Sequence, residues 1–175
     1  MSLARIRSLV LISVLVTCAV VLVTIAIVRD HQTRTTYGGA GCPAGMVPIT
    51  TKPLPDESKI KINVFNGKGT PGLASQVAAE FRNRKFTVGQ VKDTARYAKV
   101  ALLRYGPKAV AAASVVNAYF LGDAELKFDL RRTNDVIDVT IGSNFQALGT
   151  PTDVHQAIAA LGNPSPPPGT CDVAK

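Results

Sequence analysis

From Leu9 to Val28 the chain reads LVLISVLVTCAVVLVTIAIV, without a single charge. At about 1.5 Å rise per residue, roughly 20 helical residues match the ~30 Å hydrocarbon core of a bilayer, and a helix satisfies its own backbone groups there. The run therefore predicts a transmembrane anchor. A cleaved secretory signal competes with this reading, but its apolar core usually runs only about 7 to 15 residues and closes on a small-residue cleavage site. Here the run ends at Val28-Arg29-Asp30. Leu15-Val16-Thr17-Cys18 faintly resembles a lipid-attachment box, yet the apolar run continues well past Cys18, which favours a thiol facing lipid. Arg5 and Arg7 precede the run, whereas Arg29 and Arg34 follow it beside Asp30. That balance favours cytoplasmic residues 1–8, a single span over 9–28 in the plasma membrane, and a body exported to the far side.

The other two cysteines agree with export. Cys42 lies in a Gly-rich stretch and Cys171 lies near the C-terminus, and neither has the CxxC or His spacing of a metal site. No metal and no cofactor are expected. A Cys42–Cys171 disulfide is expected to join the two ends of the folded body, and such a bond persists only outside the reducing cytosol.

Composition divides the remainder. Residues 29–58 are rich in Gly, Pro and Thr and read as a linker, and 163–175, with its NPSPPPG run, reads as a Pro-rich tail held by Cys171. Residues 59–148 are enough for one domain, followed by a helix over 149–162. Ile60, Ile62 and Val64 alternate with Lys59, Lys61 and Asn63, the pattern of a half-buried strand. Leu73, Ala74, Val77, Ala78 and Phe81 form a helical stripe ending in Arg82, Arg84 and Lys85. Strands are expected over 87–92 and 99–105, then a helix opened by Pro107 and stopped by Gly122. A strand over 125–130 is expected to turn at 131–134 into Ile137, Val139 and Ile141 as a hairpin. Thr150-Pro151-Thr152-Asp153 opens the last helix. The order β-α-β-β-α-β-β-α predicts a two-layer α+β domain, with a mixed sheet of four or five strands and two main helices on one face.

Charge is unevenly placed. Between Lys59 and Lys108 eleven Lys and Arg stand against Glu80 and Asp93, whereas from Ala109 onward four basic residues stand against seven acidic ones. A solvated surface explains this; so does a basic face for an anionic partner, with Gly67, Lys68, Gly69, Gly72, Arg82, Arg84, Lys85, Arg96 and Lys99 as candidates. Nucleic acid is excluded by the compartment and by the scarcity of aromatic side chains for base stacking. Anionic headgroups or phosphate-bearing polymers fit better.

Gly67-Lys68-Gly69-Thr70-Pro71-Gly72 is a literal G-x-G-x-x-G with Asp93 roughly 20 residues on, the pattern of a dinucleotide fingerprint. A doubly wound domain needs more strands than this body holds, so a turn that lets the helix pack closely on the sheet is expected, with a helix N-terminus still able to hold an anion. The catalytic inventory is thin. His31 and His155 have no evident nucleophile to activate. Asp129, Asp135 and Asp138 beside Arg131 and Arg132 could clamp a metal or phosphate, as in a small hydrolase or transferase, but charges solvating a turn are the better reading. No enzyme activity is expected.

Three segments together carry a resemblance. Ile62-Asn63-Val64-Phe65-Asn66-Gly67 with Gly72-Leu73-Ala74 resembles the opening of the LytR C-terminal domain. Leu103-Arg104-Tyr105-Gly106-Pro107 resembles its middle, and Val139-Thr140-Ile141-Gly142-Ser143-Asn144-Phe145 its closing strand, with Asn144 where that pattern often has Asp. In that family the domain often follows a polymer-attaching LytR-CpsA-Psr phosphotransferase domain. The resemblance implies an accessory module without that catalytic domain, associated with cell-envelope integrity and engaging wall polymers or wall-assembly proteins. Membrane lipid would be met through the anchor, and self-association through a sheet edge or helix face stays open.

Overall fold

In the computed structural model, residues 16–21, 23, 42–43, 45–162 and 164–173 are described. They belong to two units, Met1–Gly41 and Cys42–Lys175. In the first, positions 16–21 and 23 are helical, and Val16, Val20, Val21 and Val23 are each more than half exposed. Among the described residues no helix is long and apolar enough to cross a membrane, and most of the expected span over 9–28 lies outside them.

The second unit runs β1 (Val47–Ile49), β2 (Lys61–Asn66), α1 (Leu73–Asn83), β3 (Thr87–Asp93), β4 (Ala101–Tyr105), α2 (Val110–Tyr119), β5 (Ala124–Phe128), β6 (Val136–Ile141), α3 (Pro151–Ala160) and β7 (Thr170–Asp172). Five of the strands form one mixed sheet in the order β3-β2-β6-β4-β5. β2-α1-β3 and β4-α2-β5 each join adjacent parallel strands, as a helical crossover requires. Between these two units lies β6, parallel to β2 and antiparallel to β4.

Alternation along the strands puts Ile62, Val64, Leu103, Ile137, Val139 and Ile141 fully inside. Against that face pack Val77, Ala78 and Phe81 of α1 and Val110, Ala113 and Val116 of α2. Phe81 meets the rings of both Tyr119 and Phe120, so the two main helices share one side of the sheet as expected. The other side carries Asn63, Asp138 and Arg104 in register, which is why these strands alternate rather than reading as continuous apolar runs.

Two expectations are corrected. β5 and β6 are not a hairpin: β5 lies at the sheet edge beside β4, and β6 crosses to the centre. Burial drives this, because Ile137, Val139 and Ile141 have no exposed surface, and only a central position covers them. Residues 29–58 are also not linker throughout. Ile49 and Thr51 are buried, and β1 pairs in parallel with β7, a strand within the expected Pro-rich tail. Cys42 and Cys171 are disulfide-bonded with Cα atoms 5.8 Å apart, and the Thr51 hydroxyl donates to the Asp172 carboxylate beside them.

Candidate functional site

The glycine-rich loop after β2 is satisfied from within. Asn66 is 3% exposed; its amide Nδ2 donates to Thr70 O and to Asp93 Oδ1, both at 2.9 Å, and its Oδ1 accepts from Gly69 N–H. Asp93 thus holds the loop from the end of the neighbouring strand, which is a structural task. Gly67 passes so close to β6 that a Cβ there would lie 2.9 Å from Ile141 O, so the first glycine of the pattern serves sheet packing. Gly72 enters α1 with φ 76°, a left-handed conformation that glycine adopts without strain. Lys68 donates to Phe145 O at 2.8 Å, and the Arg96 side chain lies over Gly69.

Five of the six candidate cations fall into two groups, and the sixth, Lys99, pairs with Glu125. Lys68, Arg96 and the glycines sit at the N-terminal end of α1, whereas Arg82, Arg84 and Lys85 sit at its other end, about 16 Å away at 1.5 Å per residue. The sequence polarity of charge is also partly cancelled in space. Lys61 pairs with Asp135 at 3.0 Å, Lys99 with Glu125 at 2.6 Å and Arg104 with Asp129 at 3.0 Å, each joining a basic residue of the first half to an acidic residue of the second. Tyr97 also donates to Glu125, and burial with this carboxylate contact pushes the phenol up to about 12. The carboxylates near the 131–134 turn do not converge. Asp129 takes Arg104 and Arg131, Asp135 takes Lys61, and Asp138 takes Arg132 at 2.6 Å and Asn63 at 2.8 Å. Among the described residues no group of three or more His, Cys, Asp or Glu is arranged to hold a metal.

The far end of α1 is different in kind. α1 stops in a Schellman motif: Phe86 N–H returns to Phe81 O at 3.0 Å and Lys85 N–H to Arg82 O at 2.9 Å, with the Phe81 and Phe86 rings stacked edge to face. That motif needs a left-handed residue before Phe86, and Lys85 supplies it at φ 71° where glycine is usual. Beside it lies an open cleft of about 250 Å³. It is lined by Arg84 and Lys85 after α1, by Tyr119 and Glu57, and by Val154 and His155 of α3. Arg84 donates to Gly149 O at 3.0 Å and its guanidinium lies 5.2 Å from the Tyr119 ring centre. Tyr119 donates its hydroxyl to Glu57 Oε1 at 3.0 Å; burial, then this hydrogen bond, raise the phenol to about 12. Sequence reasoning named Arg84 and Lys85 but missed the other lining residues. Glu57 fell in the expected linker, Tyr119 was not singled out, and His155 was weighed only as a histidine without a nucleophile to activate. A tyrosine closing an apolar helix, whose hydroxyl must find a partner, was the available signal.

Residues 59–145 match the model of the LytR_C family, described as LytR cell envelope-related transcriptional attenuator. No curated protein matches the chain. Its fold is similar to the crystal structure of the soluble domain of a conserved hypothetical secreted protein from Mycobacterium marinum, with a TM-score of 0.53 and 24% identity, over 68% of this chain and 82% of that one.

Proposed function

Since residues 59–145 match the LytR_C family model, we propose that this chain is a non-catalytic, membrane-anchored protein that supports cell-envelope integrity from the extracytoplasmic side. The observation that carries the reading is the Cys42–Cys171 bond, which closes a family domain associated with the envelope using a linkage that reducing compartments do not keep. The secreted description of the M. marinum protein agrees with it. The exposed valines at helical positions 16, 20, 21 and 23 suit insertion among lipid tails, in line with the uncharged run from 9 to 28. The absence of catalysis is supported by carboxylates spent on separate cations and by a glycine-rich loop whose groups bond one another. Its partner on this reading is a cell-wall polymer or a wall-assembly protein, with membrane lipid met through the anchor and no role for nucleic acid.

Deletion of the gene tests this directly. Loss of the protein should sensitise cells to detergent and to wall-directed antibiotics, and the full-length chain should restore resistance. A deletion strain indistinguishable from its parent under both stresses would contradict an envelope role.

A further inference from the structure

We propose that the cleft walled by the end of α1, Tyr119 and the start of α3 binds a sugar ring carrying a phosphate or a carboxylate. The lining residues differ in chemistry. Arg84 commits one N–H to Gly149 O out of the five donors a guanidinium offers, and Lys85 makes no ion pair among the described residues, so the cleft offers cations to an anion. The same cleft is lined by the Glu57 carboxylate, which repels a bare anion but accepts from a hydroxyl. A ligand that suits both the cations and this carboxylate carries a negative group together with hydroxyls. At about 250 Å³ the cleft lies below the roughly 300–1,000 Å³ of pockets for drug-sized ligands, which limits the fit to about one ring.

Lys85 supplies an independent argument. Its backbone sits where a Cβ is penalised and glycine is free of strain. A lysine there, lining a cleft and with no ion-pair partner among the described residues, is a local rule broken at the site. The envelope reading supplies only the biological source of such a sugar; the cleft chemistry stands without it.

Titration of the isotope-labelled full-length chain in detergent micelles with glucose 6-phosphate, glucuronate, glucose and inorganic phosphate tests the proposal. At least one anionic sugar should give saturable shifts centred on Glu57, Arg84, Lys85, Tyr119 and His155. Which of the two binds identifies the anion. Glucose and inorganic phosphate should bind at least about fivefold more weakly, each lacking one half of the recognition. Lys85→Gly should weaken binding by about fivefold or more while raising the melting temperature, so loss of affinity cannot come from loss of fold. Saturable binding of inorganic phosphate equal to that of both sugars, no saturable shift with either sugar, or unchanged affinity in Lys85→Gly would each overturn it. None of these results depends on the deletion phenotype, so failure here leaves the envelope role to be judged by that experiment.

Discussion

Among the described glycines, Gly142 has the closest backbone neighbour. A Cβ there would lie 2.0 Å from Lys99 O, because the strand-end segment 142–144 is laced to 97–100 by Gly142 N–H to Val100 O, Ser143 N–H to Tyr97 O and Asn144 N–H to Lys99 O. The clash is with backbone, which cannot swing aside. Gly142→Ala is therefore expected to destabilise by about 1–3 kcal/mol, read as a lower midpoint in urea unfolding. An unchanged midpoint would show that the two segments separate easily. This residue was visible in the sequence as part of a resemblance, but its reason was not, since a single sequence does not reveal which carbonyl approaches which Cα. Asn144 is exposed and contributes its backbone N–H to the lacing, so the departure from Asp leaves that hydrogen bond intact.

At the scale of elements, the strands and helices were legible and their neighbours were not. Alternation reports which face of a strand is buried, and Ile60, Ile62 and Val64 or Ile137, Val139 and Ile141 reported it correctly. It says nothing about which strand lies alongside, so the short 131–134 turn suggested a hairpin where the chain in fact crosses from the edge to the centre. Arg132 fastens that crossing by bonding Asp138 and Val136 O. Ion pairs then hold neighbouring elements together, and they carry a pH dependence. Asp129 is held below the usual carboxylate range by the Arg131 backbone N–H and the Arg104 side chain, Glu125 by Lys99 and Tyr97, and Asp135 by Lys61. In each case the folded value lies below the unfolded one, so the stabilisation is present above the ordinary carboxylate values of about 4 and is lost as pH falls through the depressed values. Urea midpoints should hold steady from neutral pH down to about 5 and decline below about 4. A midpoint that rises on acidification would refute this assignment of the charges.

For the whole molecule, the ends of the folded unit matter more than composition suggested. Segments rich in Gly and Pro looked structureless, yet β1 and β7 pair in parallel, Ile49 joins the core, and Asp172 bonds Thr51. Propensity assigned these stretches to loop because too few apolar residues occur in either one, and the covalent link between them, with Ile49 burial and the Thr51–Asp172 bonds, offsets the ordering entropy of the pairing. Closing a loop of 129 residues stabilises by about 4–5 kcal/mol in the chain-entropy model. The central claim is that this closed domain stands outside the membrane. Intact cells treated with a membrane-impermeant maleimide provide the direct measurement: Cys42 and Cys171 should be unreactive as they stand and should both become labelled once an impermeant reductant is added, without lysis. Labelling before reduction, or labelling that requires lysis, would contradict it.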